Sequence, residues 1–88
     1  MAQKILVETW GNFGKIENLR ELMPIEMQMA YDMRDKGIME HLMVKDGLKG
    51  AYILYNLTDK NEVLALMKKL PLFPHFERIE MTLVEQSF

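Results

Sequence analysis

At 88 residues the chain has room for one domain, and a domain this small buries only about 60 to 65% of its unfolded surface. Yet 49% of it is hydrophobic, with nine Met, which is more apolar material than so small a core needs and points to a homodimer or higher homo-oligomer. A net charge of −2 and a pI of about 5.6 argue against a nucleic-acid partner, and the lack of cysteine excludes disulfides, thiolate metal sites and a cysteine nucleophile.

The apolar run in MAQKILVETW is too short for a signal peptide, and no stretch approaches the roughly 20 apolar residues of a membrane span. A soluble, cytoplasmic protein with no membrane partner is therefore expected. Residues 4–9 are a short β-branched run and predict a first strand. It ends at Trp10-Gly11-Asn12-Phe13-Gly14, whose glycines match no phosphate-binding spacing and predict a plain turn.

Residues 18–36 are helical in pattern, with Pro24 at a tolerable first-turn position and Gly37 as the C-terminal cap; residues 18–23 are either its start or a separate turn. Leu22, Ile25, Met29 and Met33 fall on one stripe and Met23, Met27, Ala30 and Tyr31 on a second, leaving Gln28, Asp32 and Asp35 as the polar side. The apolar arc covers roughly 240°, where packing on one sheet needs about 100°. The run MPIEMQM suggests a soft-metal box, but Met27 and Met29 lie about 200° apart on a helix and cannot converge on one ion, so packing is the expected role.

Residues 38–45 and 48–57 flank Asp46-Gly47 and predict a hairpin with a type I′ turn. That turn sets His41 opposite Tyr52 and Leu42 opposite Ala51. Met39, His41, Met43, Tyr52, Leu54 and Asn56 then share one face, and Glu40, Leu42, Val44, Ala51, Ile53 and Tyr55 the other, which is the helix-packing side. Thr58 or Asp59 caps a second helix, with Val63, Leu66, Met67 and Leu70 as its buried stripe. Residues 78–85 alternate as a last strand. The order β-α-β-β-α-β predicts a ferredoxin-like α+β fold, an antiparallel sheet with both helices on one face. The other face is half apolar. Two such sheets paired about a two-fold axis would cover it and enclose a cleft containing His41, Tyr52, Asn56, Glu8, Glu80 and Thr82.

Leu70-Pro71-Leu72-Phe73-Pro74, preceded by an amphipathic helix and followed by an aromatic residue and a Glu-rich strand, resembles the muconolactone isomerase family. His41-Leu42, after Gly37, is similar to the His-Leu on that family's second strand, and the resemblance runs from about residue 26 to residue 84. It implies a dimeric α+β barrel, often built into a larger ring, and a cofactor-free shift of a double bond in a small unsaturated lactone acid. The chain departs from the pattern after His-Leu, where Met43 and Val44 stand in place of the usual Trp and Arg, and at Met39, where another Trp is common. Those changes remove an anion-binding cation and reshape the pocket.

Such an isomerase lifts a proton alpha to a carbonyl and returns it, work for a His or a carboxylate in a water-poor cleft. His41, beside Tyr52, is the first candidate base, against a plain hydrogen-bonded His at a subunit contact, and Glu8 is the second, against an ion-paired role. Tyr52, Asn56, Glu80, Phe73 and His75 are the candidate ligand-binding residues, with His75 otherwise an exposed loop residue. A metal held by His41 and His75 lacks a third ligand at a recognisable spacing. Pro71 and Pro74 stiffen the loop so that Leu72, Phe73 and Phe76 are held against a neighbour or over the mouth of the cleft. The competing functional classes are a non-catalytic oligomeric binding or regulatory module of the same fold, and a barrel similar to the antibiotic-biosynthesis monooxygenases, which would not be expected to carry LPLFP.

Overall fold

Strict alternation makes the first strand, β1 (Ala2–Trp10): Ile5, Val7 and Thr9 are fully buried, while Leu6, Glu8 and Trp10 between them are half-buried on the other face. The structure is a computed structural model and describes residues 2–88. After β1 come α1 (Leu19–Asp35), β2 (Met39–Val44), β3 (Gly50–Tyr55), α2 (Lys60–Met67) and β4 (Arg78–Gln86). The strands form one antiparallel sheet in the order β2-β3-β1-β4, which is the ferredoxin-like α+β arrangement. Ala30 and Met33 of α1 and Val63 and Met67 of α2 meet Ile5, Val7, Ile53 and Tyr55 in a single core, so both helices cover the same sheet face. Each fully buried aliphatic side chain there contributes about 1.5–3 kcal/mol.

Asn18 precedes the first turn of α1, and the helix runs unbroken through Pro24. Pro24 is therefore an interior residue and not a first-turn one, and its missing N–H leaves the Arg20 carbonyl without a helical partner. The helix ends in a Schellman motif: Gly37, at φ 75°, donates its N–H to the Arg34 carbonyl and Ile38 donates to the Met33 carbonyl. Of the two expected stripes, Ala30 and Met33 are buried and Met29 packs partly on the core, while Ile25 and Tyr31 remain exposed. In α2 the Asp59 carboxylate accepts the Asn61 N–H at 2.8 Å, and Val63, Met67 and Leu70 recur at helical spacing on the buried side.

The β2–β3 hairpin differs from the expected one in two ways. First, Asp46-Gly47 is not a two-residue turn. Lys45 N–H donates to the Gly50 carbonyl and Leu48 N–H to the Lys45 carbonyl, closing a wider loop in which the positive φ falls on Gly47 and Leu48. The register moves by two residues, so His41 lies opposite Leu54 and Tyr52 opposite Met43. Gly50 explains the choice: it is paired with Trp10, and a Cβ on it would lie 2.0 Å from the Thr9 carbonyl oxygen. Only glycine allows β3 this close to β1, and that contact fixes where the hairpin must turn.

Second, a β-bulge interrupts the ladder between Met39 and His41. It places Met39 in the core, with 4% of its surface exposed, and sends Glu40 to the open face, where it pairs with Lys4 of β1. These two residues therefore exchange the faces that unbroken alternation assigned to them.

The loop after α2 packs inward. Leu72 is buried, Phe73 and Phe76 pack against the core, and Phe76 contacts both the Phe73 ring at 5.9 Å and the Phe13 ring at 5.7 Å between centroids. Its apolar side chains close this chain's own core at the end left open by the short α2, so within the chain they do not overhang the open sheet face. Among the described residues, no helix is long and apolar enough to cross a membrane.

Candidate functional site

Three elements meet where the first turns of α1, the loop at 72–76 and the β2–β3 hairpin converge. The space they leave is a cavity of about 170 Å³. Of the twelve residues lining it, eleven are apolar, among them Met23, Met27, Val44, Ala51, Ile53 and Phe76. The twelfth is Glu26.

Glu26 points inward because it shares a helix face with Ala30 and Met33, four and seven residues on, both buried. Its Oε1 accepts the Leu72 N–H at 3.0 Å, tying the helix to the proline-stiffened loop. Burial raises its pKa above the ordinary carboxylate value, and the Leu72 hydrogen bond offsets only part of that rise. Nearby, the Tyr55 hydroxyl is buried without a hydrogen-bond partner among the described residues. Burial first, and the Glu26 charge second, push that phenol upward too. A carboxyl in an apolar wall, less well solvated as the anion than one in water, is the stronger base and can take a proton from a weak carbon acid and give one back.

The open sheet face carries the residues that the sequence singled out, in a different relation. Glu80, Glu8, Tyr52 and Met43 form one row across the four strands, and Thr82, Leu6, Leu54 and His41 form the next. With β3 lying between their strands and their rows adjacent, His41 and Glu8 are separated by about 12 Å, two strand spacings across and two residues along. They do not meet within one chain.

Glu8 is committed elsewhere. Lys45 Nζ bonds its Oε2 at 2.7 Å, and that hydrogen bond, helped by the Tyr52 hydroxyl and the Arg78 charge, holds its pKa below the ordinary value despite some desolvation. Lys45 also lies over the Trp10 ring at 4.1 Å and the Tyr52 ring at 5.2 Å, and Arg78 lies over Trp10 at 4.5 Å while pairing with Glu80. Two ion pairs, Lys4 with Glu40 and Lys45 with Glu8, thus pass over β3 in opposite senses. The face is an array of neutralised charge and aromatic surface more than a proton-transfer centre.

The remaining candidates disperse. Asn56 donates its side-chain amide to the Gly37 carbonyl at 3.2 Å and fastens the turn after α1. Phe73 belongs to the core-closing loop, and His75 is exposed beside a shallow cleft with Asn12, Lys15 and Glu77, a different depression from the one that His41 lines. Among the described residues, no group of three or more His, Asp or Glu could hold a metal ion. Glu26 was the residue missed. The signal available was a lone acid in register with Ala30 and Met33 on an otherwise apolar arc. Compared with protein-family models and with curated proteins, the chain matches none.

Proposed function

We propose that this chain is a small-molecule isomerase of the muconolactone isomerase kind, moving a double bond in a small unsaturated lactone with Glu26 as the proton carrier. The observation that carries the reading is a carboxyl of raised pKa set in an apolar cavity of about 170 Å³. A dry cavity of about 150 Å³ holds a six-membered aromatic ring, so a five-membered lactone with a short substituent fits. The Glu26 carboxylate takes a proton from the ring carbon adjacent to the unsaturated system. The C–H electron pair moves toward the carbonyl, giving a dienolate, and the Glu26 carboxyl, exchangeable with solvent, delivers a proton at the far end. One bond to hydrogen breaks and one forms, the double bond moves, and nothing is oxidised. The proton-carrying role passes in this reading from His41 and Glu8 to Glu26. Pairing of two copies through the open sheet face belongs to the same reading, because Leu6, Leu54, Met43 and Trp10 lie there beside the ion pairs.

The test is incubation of the purified protein with a panel of butenolides, muconolactone among them, followed by proton NMR in D2O. Double-bond migration with deuterium entering the ring is expected for the wild type. Glu26→Gln is expected to lose it and His41→Ala to keep it. A wild type that neither isomerises nor exchanges any member of the panel would sink the proposal, and so would a fully active Glu26→Gln.

A further inference from the structure

The lining of the Glu26 cavity carries a second message, about charge. Among the described residues, no Lys, Arg or His lines it. Lys45, adjacent in sequence to the lining residue Val44, turns to the opposite face of the sheet, where Glu8 and the Trp10 ring hold it. Lys4 is held on that face by Glu40, and Arg34 stacks on Tyr31 on the outer surface of α1. One oxygen of Glu26 is occupied by the Leu72 N–H, and the rest of the wall offers hydrocarbon and thioether. A ligand bearing a carboxylate would leave water, find no cation, and meet a second negative charge at Glu26.

We infer that the cavity takes an uncharged, largely apolar ring carrying a carbonyl, such as an alkyl-substituted butenolide, and rejects the corresponding lactone acid. This rests on the Glu26 site proposed above but makes a separate claim about the substrate. An unpaired buried charge costs enough that discrimination of about 100-fold or more in kcat/KM is expected.

Two residues at the cavity wall make the claim testable by gain of function. Val44 and Leu48 line it, yet are 49% and 40% exposed, so a longer cationic side chain at either position has room to place its charge at the rim. The probes are the neutral 5-methyl-2(3H)-furanone and its 5-carboxymethyl counterpart, an acid with the same ring and double bond, for turnover. Saturated γ-valerolactone and its 5-carboxymethyl counterpart serve for binding by saturation-transfer NMR. The wild type is expected to turn over and bind the neutral member of each pair and not the acid. Val44→Arg, with Leu48→Lys as the second variant should the first not fold, is expected to raise the acid-to-neutral ratio at least tenfold. A wild type that prefers the acid, or cationic variants that leave the ratio unmoved, overturn the inference while leaving the isomerase reading standing. Binding of the neutral lactone alone, with no turnover of either substrate, supports the selectivity and overturns the isomerase reading instead. Binding of neither lactone overturns both.

Discussion

Replacing Glu26 separates its charge from its hydrogen bond. In Glu26→Gln the side chain keeps an oxygen for the Leu72 N–H, 3.0 Å away in the wild type, and loses the ionisable carboxyl. In Glu26→Leu the cavity wall becomes wholly apolar but the Leu72 N–H is stranded, at a cost of about 1–3 kcal/mol. Because the Glu26 pKa is higher in the folded chain than in the unfolded one, the folded state holds this proton more tightly. The stability so gained is fully present below the unfolded carboxylate value of about 4.3 and disappears as pH rises through the folded pKa. Glu26→Gln has no such dependence. Urea unfolding of the three proteins at pH 4 and pH 7.5 reads all of this. With a slope near 1 kcal/mol per molar for a chain of this size, the loss in Glu26→Leu relative to Glu26→Gln corresponds to a midpoint lower by about 1–3 M. Wild type is expected to lose ground to Glu26→Gln on passing from pH 4 to pH 7.5. A gap between wild type and Glu26→Gln that does not change with pH would refute the claim that this carboxyl is desolvated. Equal midpoints for the Gln and Leu variants would refute the role given to the Leu72 hydrogen bond.

The proposed isomerase activity should rise with pH along a single limb centred above the ordinary glutamate range if the Glu26 carboxylate is the acting base; a limb at or below that range would contradict it. Tyr55→Phe removes a buried hydroxyl that has no partner while keeping the ring, and is expected to raise stability by about 1 kcal/mol, seen as a melting temperature higher by roughly 4–8 °C; a lower melting temperature would show that the hydroxyl is satisfied. Gly50→Ala sets a Cβ against the Thr9 carbonyl at a φ of 144°, so a loss exceeding about 1–3 kcal/mol is expected by urea unfolding, and a neutral effect would mean that β1 and β3 can move apart. Glu8 carries the opposite sign from Glu26: its lowered pKa lends stability above the unfolded carboxylate value that is lost as pH falls through the folded one. Acid unfolding of Glu8→Gln should therefore be less steep there, and an unchanged curve would deny the Lys45 pairing any weight.

The face of each strand could be read from sequence because side-chain direction repeats every two residues, and the hairpin's two-residue shift preserved it. Tyr52 and Leu54 therefore kept their face while changing partners. Met39 and Glu40 could not be read, because nothing in MEHLMV distinguishes regular alternation from a one-residue bulge. That choice is made by Lys4 on β1, two strands away in the sheet, and by space in the core. The loop LPLFPHF announced a constrained apolar contact, and its stiffness and side chains were legible. Its partner was not, since only the folded chain shows that α2 stops at Met67 and leaves the core to be closed there. Glu26 escaped for the same reason. Its burial depends on that loop crossing above it, 46 residues later in the chain.

The bulge at Glu40 also bears on how the molecule survives at high concentration. β2 is an edge of the sheet, and a regular edge strand offers an incoming chain an uninterrupted ladder of free amides and carbonyls. The extra residue breaks that ladder near its start, leaving only the short run from His41 to Val44 in regular register. The irregularity that carries Met39 into the core thereby makes the same strand a poor template for open-ended sheet growth.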